Sequence, residues 1–125
     1  MQNNPKIKLF AQETLGCACP EEVFNKIEYN EELNEPWERR INIGDRLLIY
    51  IINIGPESDL VDKVNTALRL GVTERNEKGF NRFRLVLVSS DGDEIRDAAE
   101  REFSESAYQD EKTHLHILGK QDIPI

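Results

Sequence analysis

The sequence predicts one α/β domain of three layers over residues 1–125, with strands and helices alternating as βαβαβαβ around a mainly parallel four-stranded sheet. Three observations predict it. Residues 47–52, Leu-Leu-Ile-Tyr-Ile-Ile, are an unbroken apolar run, the pattern of a strand buried on both faces. Two later segments, one beginning at Leu60 and one including Ile95, repeat apolar residues at helical spacing. Between and after them, residues 80–89 and 112–118 alternate with the period of two that a strand requires.

In chain order, residues 6–12 read as a first strand, because Ile7 and Leu9 fall on one side, Lys8 and Phe10 on the other, and Pro5 stands just outside. Gly16 marks a turn. Pro20 then opens a helix in which Val23, Phe24 and Ile27 make one apolar stripe. Residues 28–40 carry Glu28, Glu31, Glu32, Glu35 and Glu38, with Pro36 breaking any helix and Trp37 as the only tryptophan, and they read as a connection. The β-branched stretch 41–54 contains the central strand at 47–52, which Gly55-Pro56 ends.

Ser58 or Asp59 caps the next helix, whose Leu60, Val61, Val64, Ala67 and Leu68 continue to Gly71. A charged loop over 72–79 leads to the strand at 80–89, with Phe83, Leu85 and Leu87 on one face and Arg82, Arg84, Val86 and Val88 on the other. Ser90-Asp91-Gly92 is turn chemistry before a helix reaching about Tyr108, with Ile95, Ala98, Ala99, Phe103 and Ala107 on one side. In the last strand Thr113, Leu115 and Ile117 alternate with Lys112, His114 and His116, and Gly119 ends it.

Composition narrows the function. Asp plus Glu number 24 against 16 Lys plus Arg, a net charge of −8 that repels phosphate polymers and disfavours general nucleic-acid binding. The longest apolar run is the one at 47–52, far short of the ~20 residues that span a bilayer, and residues 1–10 lack a secretory leader pattern. A soluble cytoplasmic protein with no membrane partner is expected. A chain of 125 residues buries enough surface to fold without a staple, so metal or redox chemistry would serve function and not folding. No GxGxxG, Walker loop, HExxH or serine elbow occurs, which disfavours a nucleotide cofactor.

The strongest chemical signal is Cys17-Ala18-Cys19-Pro20, between a predicted strand and a predicted helix start, where unpaired N–H groups and the helix dipole favour a thiolate. Glu13, Glu21 and Glu22 act in the opposite direction by charge repulsion. The plainer alternative is that both cysteines are small buried hydrophobes. His114 and His116, two apart in a strand, point to one face and offer two nitrogen ligands; with Cys17 and Cys19 they make a Cys2His2 set suited to zinc or copper. Alternatively they continue a polar row with Lys112. Arg82 and Arg84 share a strand face, and beside Lys112, His114 and His116 they make a cationic patch able to hold a phosphate or carboxylate. Their alternative is pairing across strands, or at the surface with Glu74, Glu77 and Asp110.

Over the N-terminal quarter of the chain, the strand at 6–12, the cysteine-bearing turn, Pro20 and the amphipathic helix resemble the thioredoxin-like superfamily. The resemblance implies that Cys17 is the exposed, attacking thiol and Cys19 the resolving one. A disulfide between them spans only Ala18, a small, strained ring that is easily reduced. Three functions are compatible with these residues. The leading expectation is a small thiol protein for redox exchange or sulfur handling, acting on a protein partner or a small thiol substrate. The others are a zinc or copper module using the same cysteines, and a non-catalytic interaction domain presenting the Trp37 segment or the Arg82/Arg84 face.

Overall fold

A computed structural model describes residues 5–16, 21–31, 38–55, 59–89, 92–107 and 110–119. Its central strand, Leu47–Asn53, is buried at every position except Asn53, as an apolar run without polar alternation demands. Around it stand β1 (Ile27–Glu31), β2 (Arg39–Ile43), β3 (Leu47–Asn53), β4 (Arg82–Val88) and β5 (Thr113–Leu118), in that spatial order. β1, β2 and β3 pair antiparallel, whereas β3, β4 and β5 pair parallel.

The expected four-stranded, mainly parallel sheet is therefore corrected to a mixed sheet of five strands. The connection expected over 28–40 supplies β1 and the start of β2. β1 is polar and largely exposed because it is an uncovered edge, so it carries no hydrophobic alternation to betray it. The stretch 41–54 is two strands, not one, split where Gly44 and Asp45 both adopt positive φ, 62° and 58°, in the tight turn joining β2 to β3.

The first strand expected over 6–12 is also corrected. Helix α1 (Pro5–Leu9) runs into a π-helical turn, Phe10–Thr14. Ile7, Phe10, Ala11 and Leu15 are all buried, a spacing of three and four that a short window around Leu9 hides. Glu21–Asn25 is one turn of 3₁₀ helix, and Ile27, expected in a helix, begins β1. Cys17, Cys19, Pro20, Pro36, Trp37, Pro56 and Ser58 lie outside the described residues.

Helices α2 (Leu60–Lys78) and α3 (Gly92–Glu105) carry the chain from β3 to β4 and from β4 to β5. Asp59 caps α2 by accepting from the Asp62 N–H at 3.1 Å. The helix passes Gly71 and stops at Gly79, whose φ of 78° is the left-handed end a glycine permits. Gly71 is there for packing, since a Cβ on it would lie 2.1 Å from Phe83 Cζ.

Both helices cover one face of the sheet: Val64, Ala67, Leu68 and Ala99 pack with Leu48, Tyr50, Ile52, Phe83, Leu85, Leu87 and Ile117. The opposite face is covered from the N-terminus, where Ile7, Phe10, Ala11, Leu15, Val23 and Phe24 pack with Ile41, Ile43, Ile49, Ile51, Val86 and Val88. Three layers result, as the sequence predicts.

Two ion-pair networks pin α2. The Arg40 guanidinium of β2 donates to both carboxylate oxygens of Glu74, which also accepts from the Tyr50 hydroxyl at 2.7 Å and from Lys78 Nζ at 2.9 Å. Arg75 donates to Thr113 Oγ1 at 2.8 Å and to Asp110 Oδ2 at 3.0 Å, fastening the end of α2 to the start of β5. Burial alone would raise the Glu74 carboxyl pKa, but the hydrogen bonds from Arg40, Tyr50 and Lys78 outweigh it and bring it down to about 2.

Two stability predictions follow from this packing. Glu74→Ala strands a buried guanidinium and should cost about 3 kcal/mol in urea unfolding at pH 7. Because the folded pKa is depressed, the advantage of the native protein over Glu74→Gln is present above the unfolded pKa of about 4.3 and should vanish as pH falls toward 2. Gly71→Ala gains up to about 1 kcal/mol of helix propensity, yet the clash with Phe83 should outweigh it and lower the unfolding midpoint.

Candidate functional site

The alternation of β4 that buries Phe83, Leu85 and Leu87 under α2 and α3 sends Arg82, Arg84, Val86 and Val88 to the other face. β5 lies parallel and in register, with Arg84 opposite His114 and Val86 opposite His116. The side chains of Arg82, Arg84, His114 and His116 thus share one face, the one over which the N-terminal helical layer packs.

Within this group Arg84 NH1 lies 2.9 Å from His116 Nε2. A guanidinium only donates, so the imidazole nitrogen accepts and the ring is neutral. Burial, followed by the charge of Arg84 and then by His114, holds the His116 pKa down at about 4. The His114 pKa is also lowered, by burial, Arg84 and Arg82, with Asp110 opposing. Arg82 is exposed and donates to the Glu111 carbonyl at 3.0 Å.

Arg84 differs from the other buried arginines. Arg40, Arg75 and Arg84 are 9%, 7% and 9% exposed. Arg40 is neutralised by Glu74 and Arg75 by Asp110. Among the described residues Arg84 has no carboxylate partner and its one side-chain hydrogen bond is to a neutral ring, and its Nε has no hydrogen-bond partner. Burial and the charge of Arg82 both act to lower its pKa. A chain with 24 carboxylates against 16 basic side chains does not lack acids with which to pair it. An unpaired buried charge costs several kcal/mol, so a residue kept in that condition is a candidate for function.

The sequence-based alternative of surface pairing for Arg82 and Arg84 is overturned where it names Glu74 and Asp110, since those acids are engaged by Arg40 and Arg75. Of the residues expected in a cationic patch, Arg84 and His116 are in direct contact and Arg82 and His114 lie on the same face, but His116 is neutral, so among these four the arginines carry the charge. The metal arrangement meets an obstacle at His116: its Nε2 is engaged by Arg84, and the guanidinium charge beside it opposes a metal cation. Among the described residues no group of three or more His, Cys, Asp or Glu side chains is placed to hold a metal ion.

Cys17 and Cys19 lie outside the described residues, but the chain on either side of them does not. Leu15 before them and Val23 and Phe24 after them are buried in the core cluster that contains Val86 and Val88 of β4. The sequence reading missed Arg75, although it continues the buried stripe of α2 through Val64, Leu68, Gly71 and Val72, and a charge on such a stripe signals a buried pair. It missed the partnership of Arg40 with Glu74, which lies 34 residues away, because no local spacing joins them.

Comparison with family models, with curated proteins and with solved structures finds no match for this chain. The site must therefore be read from its own chemistry. By NMR, the His116 ring should titrate near pH 4, far below an ordinary imidazole, and Arg84→Gln should move that pKa upward by removing a neighbouring cation. An ordinary pKa near 6.5 in the native protein would contradict the buried contact with Arg84.

Proposed function

We propose that this chain is a small thiol protein in which Cys17 and Cys19 carry redox exchange or sulfur handling. The observation that supports the reading is Arg84, which is buried with no carboxylate partner among the described residues and lies on the sheet face against which Leu15, Val23 and Phe24 pack. A cation lowers the pKa of a nearby thiol and steadies it as a leaving thiolate.

The chemistry follows from the cysteine spacing. A Cys17–Cys19 disulfide closes a strained ring, so the oxidised pair is an acceptor of two electrons from a dithiol partner. The partner's thiolate attacks Cys17 Sγ, the bond to Cys19 breaks, and Cys19 leaves as a thiolate. The partner's second thiolate then attacks the mixed disulfide, releasing Cys17 as a thiolate and carrying the disulfide away. This keeps the roles suggested by the likeness to thioredoxin-like proteins, with Cys17 as the exchanging thiol and Cys19 as the one that opens and closes the ring.

Iodoacetamide alkylation of the reduced protein at neutral pH tests the proposal. Cys17 should react rapidly, Cys17→Ser should abolish the fast phase without unfolding the protein, and Arg84→Gln should slow the reaction by raising the thiol pKa. A native protein unreactive at pH 7, or a fast phase that persists in Cys17→Ser, would overturn it.

A further inference from the structure

We propose that the face shared by β4 and β5 is a binding site for one small tetrahedral oxyanion, a phosphate or sulfate group, held by Arg84 with Arg82, His114 and His116 around it. Arg84 carries the argument. It is nine-tenths buried, its Nε lacks any partner, and no carboxylate among the described residues compensates it. The two other buried arginines of the chain both have carboxylate partners, so the fold pairs its buried cations wherever pairing serves stability alone.

The geometry defines the ligand class. Arg84 NH1 is engaged with His116 Nε2, which fixes the guanidinium, while Nε is a buried donor without a hydrogen-bond partner. Because His116 accepts through Nε2, its other ring nitrogen is left as a donor. Arg82 stands two residues before Arg84 on the same face of β4, and His114 lies opposite Arg84 in the register of β5, so both strands present donor-bearing side chains on this face. Donors offered by two strands suit an oxyanion whose oxygens point in several directions better than a flat carboxylate engaged by one guanidinium fork. Two guanidinium charges match a dianion. The net charge of −8 repels an extended polyanion, which confines the ligand to a single phosphate or sulfate group, free or at the end of a small molecule. The site is built from β4 and β5 and does not depend on the cysteines.

Titrations with sodium sulfate and sodium phosphate, at ionic strength fixed with chloride and followed by the ring resonances of His114 and His116, test the inference. Saturable shifts with a Kd of about 1 mM or tighter are expected. A phosphate monoester such as phenyl phosphate distinguishes the two sources: tighter binding than inorganic phosphate assigns the site to a small-molecule ester, and equal or weaker binding assigns it to the free ion. Arg84→Met should weaken binding by about tenfold or more. In anion-free buffer the same variant should be at least as stable as the native protein, because it removes an uncompensated buried charge. A purely structural arginine would behave in the opposite way on both counts. Arg82→Gln, at an exposed position, supplies an independent variant that should weaken binding while leaving the unfolding midpoint unchanged. The Cys17→Ser/Cys19→Ser double variant should bind as tightly as the native protein, which separates failure of this inference from failure of the thiol reading. Absence of saturable shifts, acetate binding as tightly as sulfate, or unaltered binding in both arginine variants would overturn the inference.

Discussion

Burial of β3 and β4 on both faces is the constraint on which the rest of this molecule depends. Residues 47–52 of β3 and Phe83–Val88 of β4 are all buried, Arg84 included, and each large apolar side chain among them contributes about 1.5–3 kcal/mol only if both faces are covered. Helices α2 and α3 provide one cover as they carry the chain between parallel strands. The other is built from the N-terminal helical turns, which is why so polar a segment keeps Ile7, Phe10, Ala11 and Leu15 in line. Where the covers end, at β1, the strand becomes polar and exposed.

Two-sided burial makes every polar residue on the inner rows a problem to be solved. Arg40 solves it with Glu74 and Tyr50, Arg75 with Asp110 and Thr113, and Asn42 with Glu28 and Asp45. Each solution also ties two elements together: β2 to α2, α2 to the start of β5, β2 to β1 and to its own turn. Arg84 is the exception. Its contact with neutral His116 neither cancels its charge nor satisfies its Nε, and Arg82 adds repulsion from two residues away.

The proposed thiol chemistry and the proposed oxyanion site would each use a cation, for different reasons. Thiolates gain from a nearby cation whatever its hydrogen-bonding state, whereas an oxyanion needs the unpartnered donor at Arg84 Nε. The surplus of acid over the rest of the chain would favour discrimination against larger polyanions.

Much of the fold was legible because it is written in short range. The apolar run of β3, the alternation of β4 and β5, and the capped, periodic α2 each follow from neighbouring residues alone, and the shared face of Arg82 with Arg84 and of His114 with His116 follows from the same alternation. The elements misread are those where a short window fits two periods, as around Ile7–Phe10, or where an exposed edge strand needs no hydrophobic pattern, as in β1. By itself the sequence determined which side chains lie together on each strand. Only the tertiary structure decided that β4 and β5 are neighbours in register, that Gly71 yields its space to Phe83, and that Glu74 and Asp110 are engaged by other arginines, so that Arg84 has no acid partner among the described residues. Those outcomes depend on contacts between residues tens of positions apart, and a missing partner is a property of the whole fold that no local spacing encodes.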